Sequence, residues 1–162
     1  MNRLFQKYAI LILVIFGLIF RMLFNFFNQN VLLTNDSQTY IDLAKLISSG
    51  SINGYFGGRS PGYSLLICLL GNSIQLVVLF QVIIGILSSV FWYEILKYFK
   101  FNAVFSLSIS LFFSSFLHVL SYEHAILIES INLLIITLLI YYVIKNHILE
   151  TTCCLAILVL LK

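Results

Sequence analysis

The amino-acid chain alternates long apolar runs with short polar connections. Four runs hold about 20 largely apolar residues each, the length that an α-helix needs to cross a bilayer. A further apolar run begins at Cys153 and is too short to cross. The pattern predicts an all-α, polytopic integral membrane protein with about four to five transmembrane helices in a single transmembrane domain covering residues 1–162. The predicted full spans are 8–27, 74–93, 103–120 and 125–144.

The longest polar connection follows the first span and covers residues 28–61. Within it, the apolar positions from Asp36 to Ser49 recur with helical spacing, which is typical of a short amphipathic helix lying along a membrane surface. Asn35 is the predicted N-cap of this helix. Several glycines then predict turns, and a second short helix, interfacial or re-entrant, is predicted over residues 63–70.

Composition agrees with a chain that is solvated by lipid. Hydrophobic residues make up 61% and charged residues 9% of the sequence, and the mean hydropathy is +1.06. A soluble domain carries many more charges on its surface. The net charge of +3 is too small and too dispersed to indicate nucleic-acid binding. The cysteines lie in apolar runs and are predicted to be small buried hydrophobic residues: Cys68, Cys153 and Cys154.

Basic residues fall mostly on one predicted side of the membrane. Loops with an excess of Lys and Arg stay in the cytoplasm, so this side, which includes the N-terminus, is predicted to be cytoplasmic. The polar segment 28–61 and the turn at Glu123-His124 then face the extracytoplasmic side of a cell (inner or plasma) membrane. Because no small-residue cleavage site follows the first apolar run, an uncleaved signal anchor is predicted. The basic residues of the cytoplasmic side are Arg3, Lys7, Lys97, Lys100 and Lys145.

Acidic residues cluster near the opposite side, although acidic groups contribute little to topology. Glu129 falls inside or at the mouth of an apolar run, where a carboxylate is costly and a functional role is the default hypothesis. The structural alternative is an ion pair with Arg21, whose long side chain could otherwise reach the interface. Asp36 stands at a helix start, where the helix dipole alone favours a carboxylate. Asp42 is interpreted as a solvated residue beside Lys45.

Three further residues are candidates for binding a ligand. Arg59 lies among glycines at the expected level of the lipid headgroups, where a guanidinium suits a phosphate; a plain headgroup anchor is the alternative. Glu123 and His124 lie in a predicted short turn, where exposed loop residues without a role are the alternative. Asp36 and Glu129 could bind a divalent cation or orient a nucleophile if the fold brings them together.

The order of these residues resembles a known family. A span is followed by Asp36-x-x-x-Tyr40-x-x-x-Ala44, then Arg59-x-Pro61-Gly62-Tyr63 and Leu65-Leu66, and later by Leu127-Ile128-Glu129. The arrangement resembles the N-terminal part of the polytopic GT-C glycosyltransferases, in particular the protein-mannosyltransferase and aminoarabinose-transferase-like group (glycosyltransferase family 39-like). Ser37 and Ser64 depart from the pattern, since the family often has a second acid and a proline there. The family has further spans, so the chain is expected to be the N-terminal portion of a larger membrane domain.

The resemblance implies a role for each candidate. Asp36 would be the catalytic base or a metal ligand for attack on a sugar carried by a polyprenyl phosphate, and Glu129 would be the second catalytic acid. The two carboxylates would share a divalent metal, Mg²⁺ or Mn²⁺. The residues then expected to bind substrate are Tyr40, Arg59, Tyr63, Glu123 and His124.

We therefore expect a membrane glycosyltransferase of the hexosyl- or mannosyl-transferase kind. It would transfer a sugar from a polyprenyl-phosphate donor to an acceptor at the extracytoplasmic face, with membrane lipids around it and no nucleic-acid partner. As an isolated portion the chain could be inactive. The alternative is a small non-enzymatic polytopic membrane protein, such as an assembly partner or transporter fragment, in which the acidic residues pair structurally.

Overall fold

The computed structural model describes residues 3–50, 55 and 60–161, and these residues are almost entirely helical. The predicted all-α class is confirmed for this part of the chain. The described helices are α1 (Arg3–Phe27), α2 (Asn35–Ser48), α3 (Pro61–Leu69), α4 (Ile74–Tyr98), α5 (Ala103–Ser115), α6 (Leu117–His124), α7 (Glu129–Ile144) and α8 (Ile148–Leu161).

Two of the described helices are long and apolar enough to cross a membrane. They are α4 and the part of α1 from Gln6 to Phe27, and the bent pair α5–α6 makes a third if it counts as one span. The apolar helices α7 and α8 are shorter, with 16 and 14 residues. Along α1, large apolar side chains point away from the protein: Met22 is 71% and Phe26 72% exposed. Such faces are suited to lipid rather than to water, as expected of a membrane protein.

The predicted span over residues 103–120 is not one straight helix. Phe116 has an extended backbone (φ −66°, ψ 123°), which ends α5, starts α6 and bends the pair by 46°. The break releases carbonyl groups at the end of α5, and these need other donors. Arg21 of α1 supplies one, because its Nη1 donates to the Ser114 carbonyl oxygen at 3.5 Å and to Ser114 Oγ at 3.2 Å. The span over residues 103–120 stays a prediction, and the structure adds that its helix is broken at Phe116.

The next predicted span, 125–144, begins as a helix only at Glu129. Ala125, which is extended, forms an isolated parallel bridge with Leu32, and residues 126–128 form a bend and a turn before the helix. The Leu32 amide donates to the His124 carbonyl oxygen at 3.2 Å. This pairing satisfies backbone groups that an α-helix would otherwise have satisfied, which explains the late start of α7.

The amphipathic helix predicted from residue 36 to 49 is α2. Its N-cap is Thr34 rather than the predicted Asn35, which is the first helical residue. Thr34 Oγ1 accepts from the Ser37 amide, and Ser37 Oγ accepts from the Thr34 amide, a reciprocal capping box. Thr34 and Asn35 both carry a side-chain oxygen that can cap a helix, and only the backbone geometry determines which of the two is the N-cap. The buried face of α2 holds Ser37, Tyr40, Ile41, Leu43 and Ala44.

The short helix predicted over residues 63–70 is α3, which packs against α2 and against the end of α8. Proline at its first position suits a helix start. Gly62 is required at the contact with α8, because a β-carbon there would lie 2.7 Å from the Leu160 carbonyl oxygen. The Ser60 hydroxyl donates to the same carbonyl. These contacts hold the start of α3 against the end of α8.

The main core lies among α2, α3, α4 and α7, with α4 at its centre. A smaller apolar cluster lies near the start of α1 and the end of α4, where Gln6 Nε2 donates to Glu94 Oε1 at 2.8 Å. Helix α1 is thus antiparallel to α4. Among the cysteines, Cys154 is buried as predicted and Cys68 is half-buried, whereas Cys153 is exposed and the prediction for it was wrong.

Candidate functional site

Two predicted substrate-binding tyrosines meet inside the protein. Tyr63, at the start of α3, is fully buried, and Tyr40 of α2 packs edge-on against its ring with 4.9 Å between centroids. Burial raises the pKa of Tyr63, and the nearby Tyr40 and the charge of Glu129 raise it further. The phenol therefore stays protonated and donates to Gln81 Oε1 at 2.7 Å.

Gln81 links this tyrosine to the end of α6 and the residue that follows it. It is fully buried in the middle of the apolar helix α4. Its Nε2 donates to the carbonyl oxygens of Tyr122, Glu123 and Ala125 at 3.0, 3.1 and 2.7 Å. A buried amide is tolerated in an apolar interior only when its polar atoms are bonded. Sequence reasoning missed Gln81, although a lone amide in an apolar run signals a polar partner elsewhere.

We expect Gln81→Leu to lower stability clearly, because it leaves the Tyr63 hydroxyl and at least one carbonyl buried without a partner. Each such group costs about 1–3 kcal/mol. The matched control is Gln75→Leu, since Gln75 lies on the same helix but is exposed. Thermal unfolding of the two variants in detergent micelles measures the difference. Equal melting temperatures would show that Gln81 does not hold this region together.

The most buried charges of the described chain form one ion pair. Arg21 of α1 and Glu123 of α6 are 3% and 2% exposed. Arg21 Nε donates to Glu123 Oε2 at 2.7 Å, and Nη2 donates to Oε1 at 2.5 Å. Nη1 is bound by the Gly17 carbonyl oxygen at 3.1 Å and by Ser114 Oγ. The guanidinium is thus enclosed by hydrogen bonds from three helices.

This pair corrects three expectations. The Arg21 side chain is buried rather than extended away from the protein, Glu123 lies at the end of α6 rather than in an exposed turn, and the carboxylate that Arg21 binds is not Glu129. No local pattern signals this pairing, since the two residues are 102 positions apart. As both Glu123 oxygens are bound by Arg21, this carboxylate contributes a fixed charge pair rather than a free base.

Small residues make room for the ion pair. A β-carbon at Gly85 of α4 would overlap Glu123 Oε1 and lie 2.5 Å from its carboxyl carbon. A β-carbon at Gly17 would lie 3.1 Å from Ser114 Oγ and 3.2 Å from Arg21 Nη1. Glycine is therefore needed where α1 and α4 pass closest to the charges.

His124 is buried beside the pair and was also expected to be exposed. Its ring packs edge-on against Phe24 with centroids 5.6 Å apart. Its Nε2 atom has no hydrogen-bond partner among the described residues.

The two predicted catalytic acids both occupy the first turn of a helix. Asp36 is exposed in α2, and Glu129 is exposed at the start of α7. Asp36 lies four residues after Leu32, and Glu129 lies four residues after Ala125. Leu32 and Ala125 are the two members of the parallel bridge. The backbone segments that lead to the two carboxylates therefore run side by side and in the same direction. Among the described residues, no group of three or more His, Cys, Asp or Glu side chains could hold a metal ion.

An open cleft of about 580 Å³ lies next to Glu129, between α4, α5, α6 and α7. We call it the aromatic cleft. Its wall is almost wholly apolar, apart from Glu129, Asn132 and His118. The His118 ring stacks on Phe116 at the break between α5 and α6, with 5.5 Å between centroids. The remaining lining residues are mostly aromatic or branched: Trp92, Ile109, Phe112, Phe113, Val119, Tyr122, Leu133 and Ile136.

The structure thus brings together Tyr40, Tyr63 and, through Gln81, the residues around Glu123. Arg59, the predicted phosphate-binding residue, lies outside the described residues. No protein-family model, no curated protein and no solved structure matches this chain.

Proposed function

We propose that the protein is a membrane glycosyltransferase that takes a sugar from a polyprenyl-phosphate donor at the extracytoplasmic face. The observation that carries the proposal is the carboxylate of Glu129 at the aromatic cleft. An amphiphilic donor needs an apolar groove for its chain next to polar groups for its head. The aromatic cleft would hold the apolar chain of the donor, and the acidic residues at the starts of α2 and α7 would provide the polar groups for its head.

The proposed topology is based on the positions of the basic residues at the two ends of the helix bundle. The outer end of the bundle holds the end of α1, the starts of α2 and α7, and the end of α6. The opposite end holds Lys97 in the last turn of α4 and Lys145 after α7, which is the cytoplasmic side by the positive-inside rule. We propose that α7 completes a fourth span together with the non-helical residues before it, and that α8 begins a fifth.

In the proposed reaction, the Asp36 carboxylate takes the proton of an acceptor hydroxyl. The hydroxyl oxygen attacks the anomeric carbon of the sugar, the bond from that carbon to the phosphate oxygen breaks, and polyprenyl phosphate leaves with the electron pair. Glu129 would position the sugar, and Arg59 would bind the phosphate. A divalent ion shared by Asp36 and Glu129 stays a prediction, and the reaction is written without it.

A photoreactive polyprenyl-phosphate sugar tests the donor site. We expect it to label the aromatic cleft, and Ile136→Trp, which fills the cleft, to reduce the labelling several-fold. Ile148→Trp is the matched control, because Ile148 is 80% exposed on α8 and does not line the cleft. Labelling spread evenly over the lipid-facing helices, or unchanged by Ile136→Trp, would refute the proposed donor site.

One observation favours a non-enzymatic protein. The buried Arg21–Glu123 pair links α1 to α6, as expected of a structural element in an assembly partner or transporter fragment. Loss of transfer in Asp36 variants that remain folded distinguishes the two functions, because a purely structural protein has no turnover to lose.

A further inference from the structure

A second cleft, separate from the aromatic cleft, lies at the outer end of α1 and the start of α4. Its volume is about 380 Å³, near the lower end of the range for small-molecule pockets. We call it the polar cleft. Its rim carries four amide side chains, all exposed to solvent: Asn25, Asn28, Gln29 and Gln75.

His124 and Arg21 form the inner wall of the polar cleft. His124 is only 6% exposed, and its Nε2 has no partner among the described residues. A buried nitrogen without a hydrogen bond is unfavourable, so a ligand group that reached His124 Nε2 from the cleft would be stabilised by the bond it formed there.

The charge of the polar cleft limits the chemistry of that partner. Among the described residues, no Asp, Glu or Lys lines it, and Arg21 is neutralised by Glu123. Asn28 already donates to the Phe24 carbonyl oxygen and Gln75 accepts from Ser73 Oγ, and both amides keep further donors and acceptors. The amides and the imidazole both donate and accept hydrogen bonds. Hydroxyl groups do the same, whereas an anion or a cation would meet no unpaired opposite charge among the described residues.

We propose that the polar cleft binds a neutral, hydroxyl-rich ring, that is, a sugar, with His124 and the amides as its hydrogen-bond partners. Apolar side chains of α1 and α4 also line the cleft, and two of them are well exposed: Met22 is 71% and Leu79 55% exposed. A sugar attached to an alkyl chain would therefore also fit. The binding is independent of glycosyl transfer, because it involves neither Asp36 nor Glu129.

The test is a titration of the complete protein, labelled with ¹⁵N-histidine, in amine-oxide detergent micelles that contain no sugar. Methyl β-glucoside is the probe. The sequence has three histidines, so His118 and His147 serve as internal references for His124. We expect a saturable shift of the His124 imidazole resonances alone. Asn25→Leu should weaken binding at least tenfold, and Asn30→Leu, outside the cleft, should not.

The natural ligand could be a free sugar or the head of a glycolipid, and octyl β-glucoside distinguishes the two. If octyl β-glucoside binds with the same affinity as methyl β-glucoside, the ligand is a free sugar. If octyl β-glucoside binds more tightly, the ligand is a glycolipid. Equal shifts of all three histidines, no shift of His124, or no effect of Asn25→Leu would overturn the proposal. A His124 shift caused by inorganic phosphate but not by the glycosides would also overturn it. None of these outcomes depends on transferase activity.

Discussion

We expect Asp36→Asn to lower glycosyl transfer about 10²–10⁴-fold, the usual contribution of a positioned general base. The substitution keeps the size of the side chain and removes its ability to take a proton. At the helix start it also removes a favourable charge–dipole interaction, worth about 0.3–1 kcal/mol, which is too little to unfold the protein. The measurement is sugar release from a polyprenyl-phosphate donor in membranes that contain the full-length protein.

The same helix supplies a matched control for this prediction. Asp42 is exposed and lies 3.8 Å from Lys45 Nζ in a solvent-facing pair. Asp42→Asn therefore changes the same charge on α2 at a position with no proposed role, and should keep full activity. Transfer by Asp36→Asn at the level of Asp42→Asn would rule out Asp36 as the base.

The second large effect concerns stability. Arg21→Met should destabilise the protein by about 3–5 kcal/mol, because it leaves the buried Glu123 carboxylate without its partner. The loss should be visible as a strong fall in the melting temperature in detergent micelles. Arg21 also binds the Gly17 carbonyl and Ser114 Oγ, so the contact of α1 with α5 should loosen as well.

The double variant Arg21→Met/Glu123→Met separates the ion pair from the packing. Replacing both charges by apolar residues of similar size is often neutral or stabilising, so the double variant should recover most of the lost stability. Lys45→Met is the control, because an exposed pair contributes about 0–1 kcal/mol. Equal effects of Arg21→Met and Lys45→Met would contradict a structural role for the buried pair.

Local periodicity made several elements predictable. The helical spacing of Tyr40, Leu43 and Ala44 specified both the existence of α2 and its buried face, because these neighbours are fixed by the helix itself. The apolar lengths of α1 and α4 likewise predicted helices able to cross a membrane. These features depend on residues close together in the chain.

The break at Phe116 could not be predicted in this way. No proline or glycine marks it in the sequence, and one of the carbonyl groups it releases, that of Ser114, is bound by Arg21 from another helix. The start of α7 shows the same dependence, since the pairing of Ala125 with Leu32 replaces a helical turn. Both boundaries are set by partners more than 90 residues away.

The candidate site likewise has features that local sequence determines and features that depend on tertiary contacts. The sequence by itself determined the all-α class, the apolar helices and the acidic helix start at Asp36, because chain composition and short-range spacing specify them. Only the tertiary structure decided that Glu123 is held by Arg21 and that Gln81 links Tyr63 to the end of α6. The physical reason is that a buried polar group must find a partner, and which group becomes that partner depends on how the helices pack.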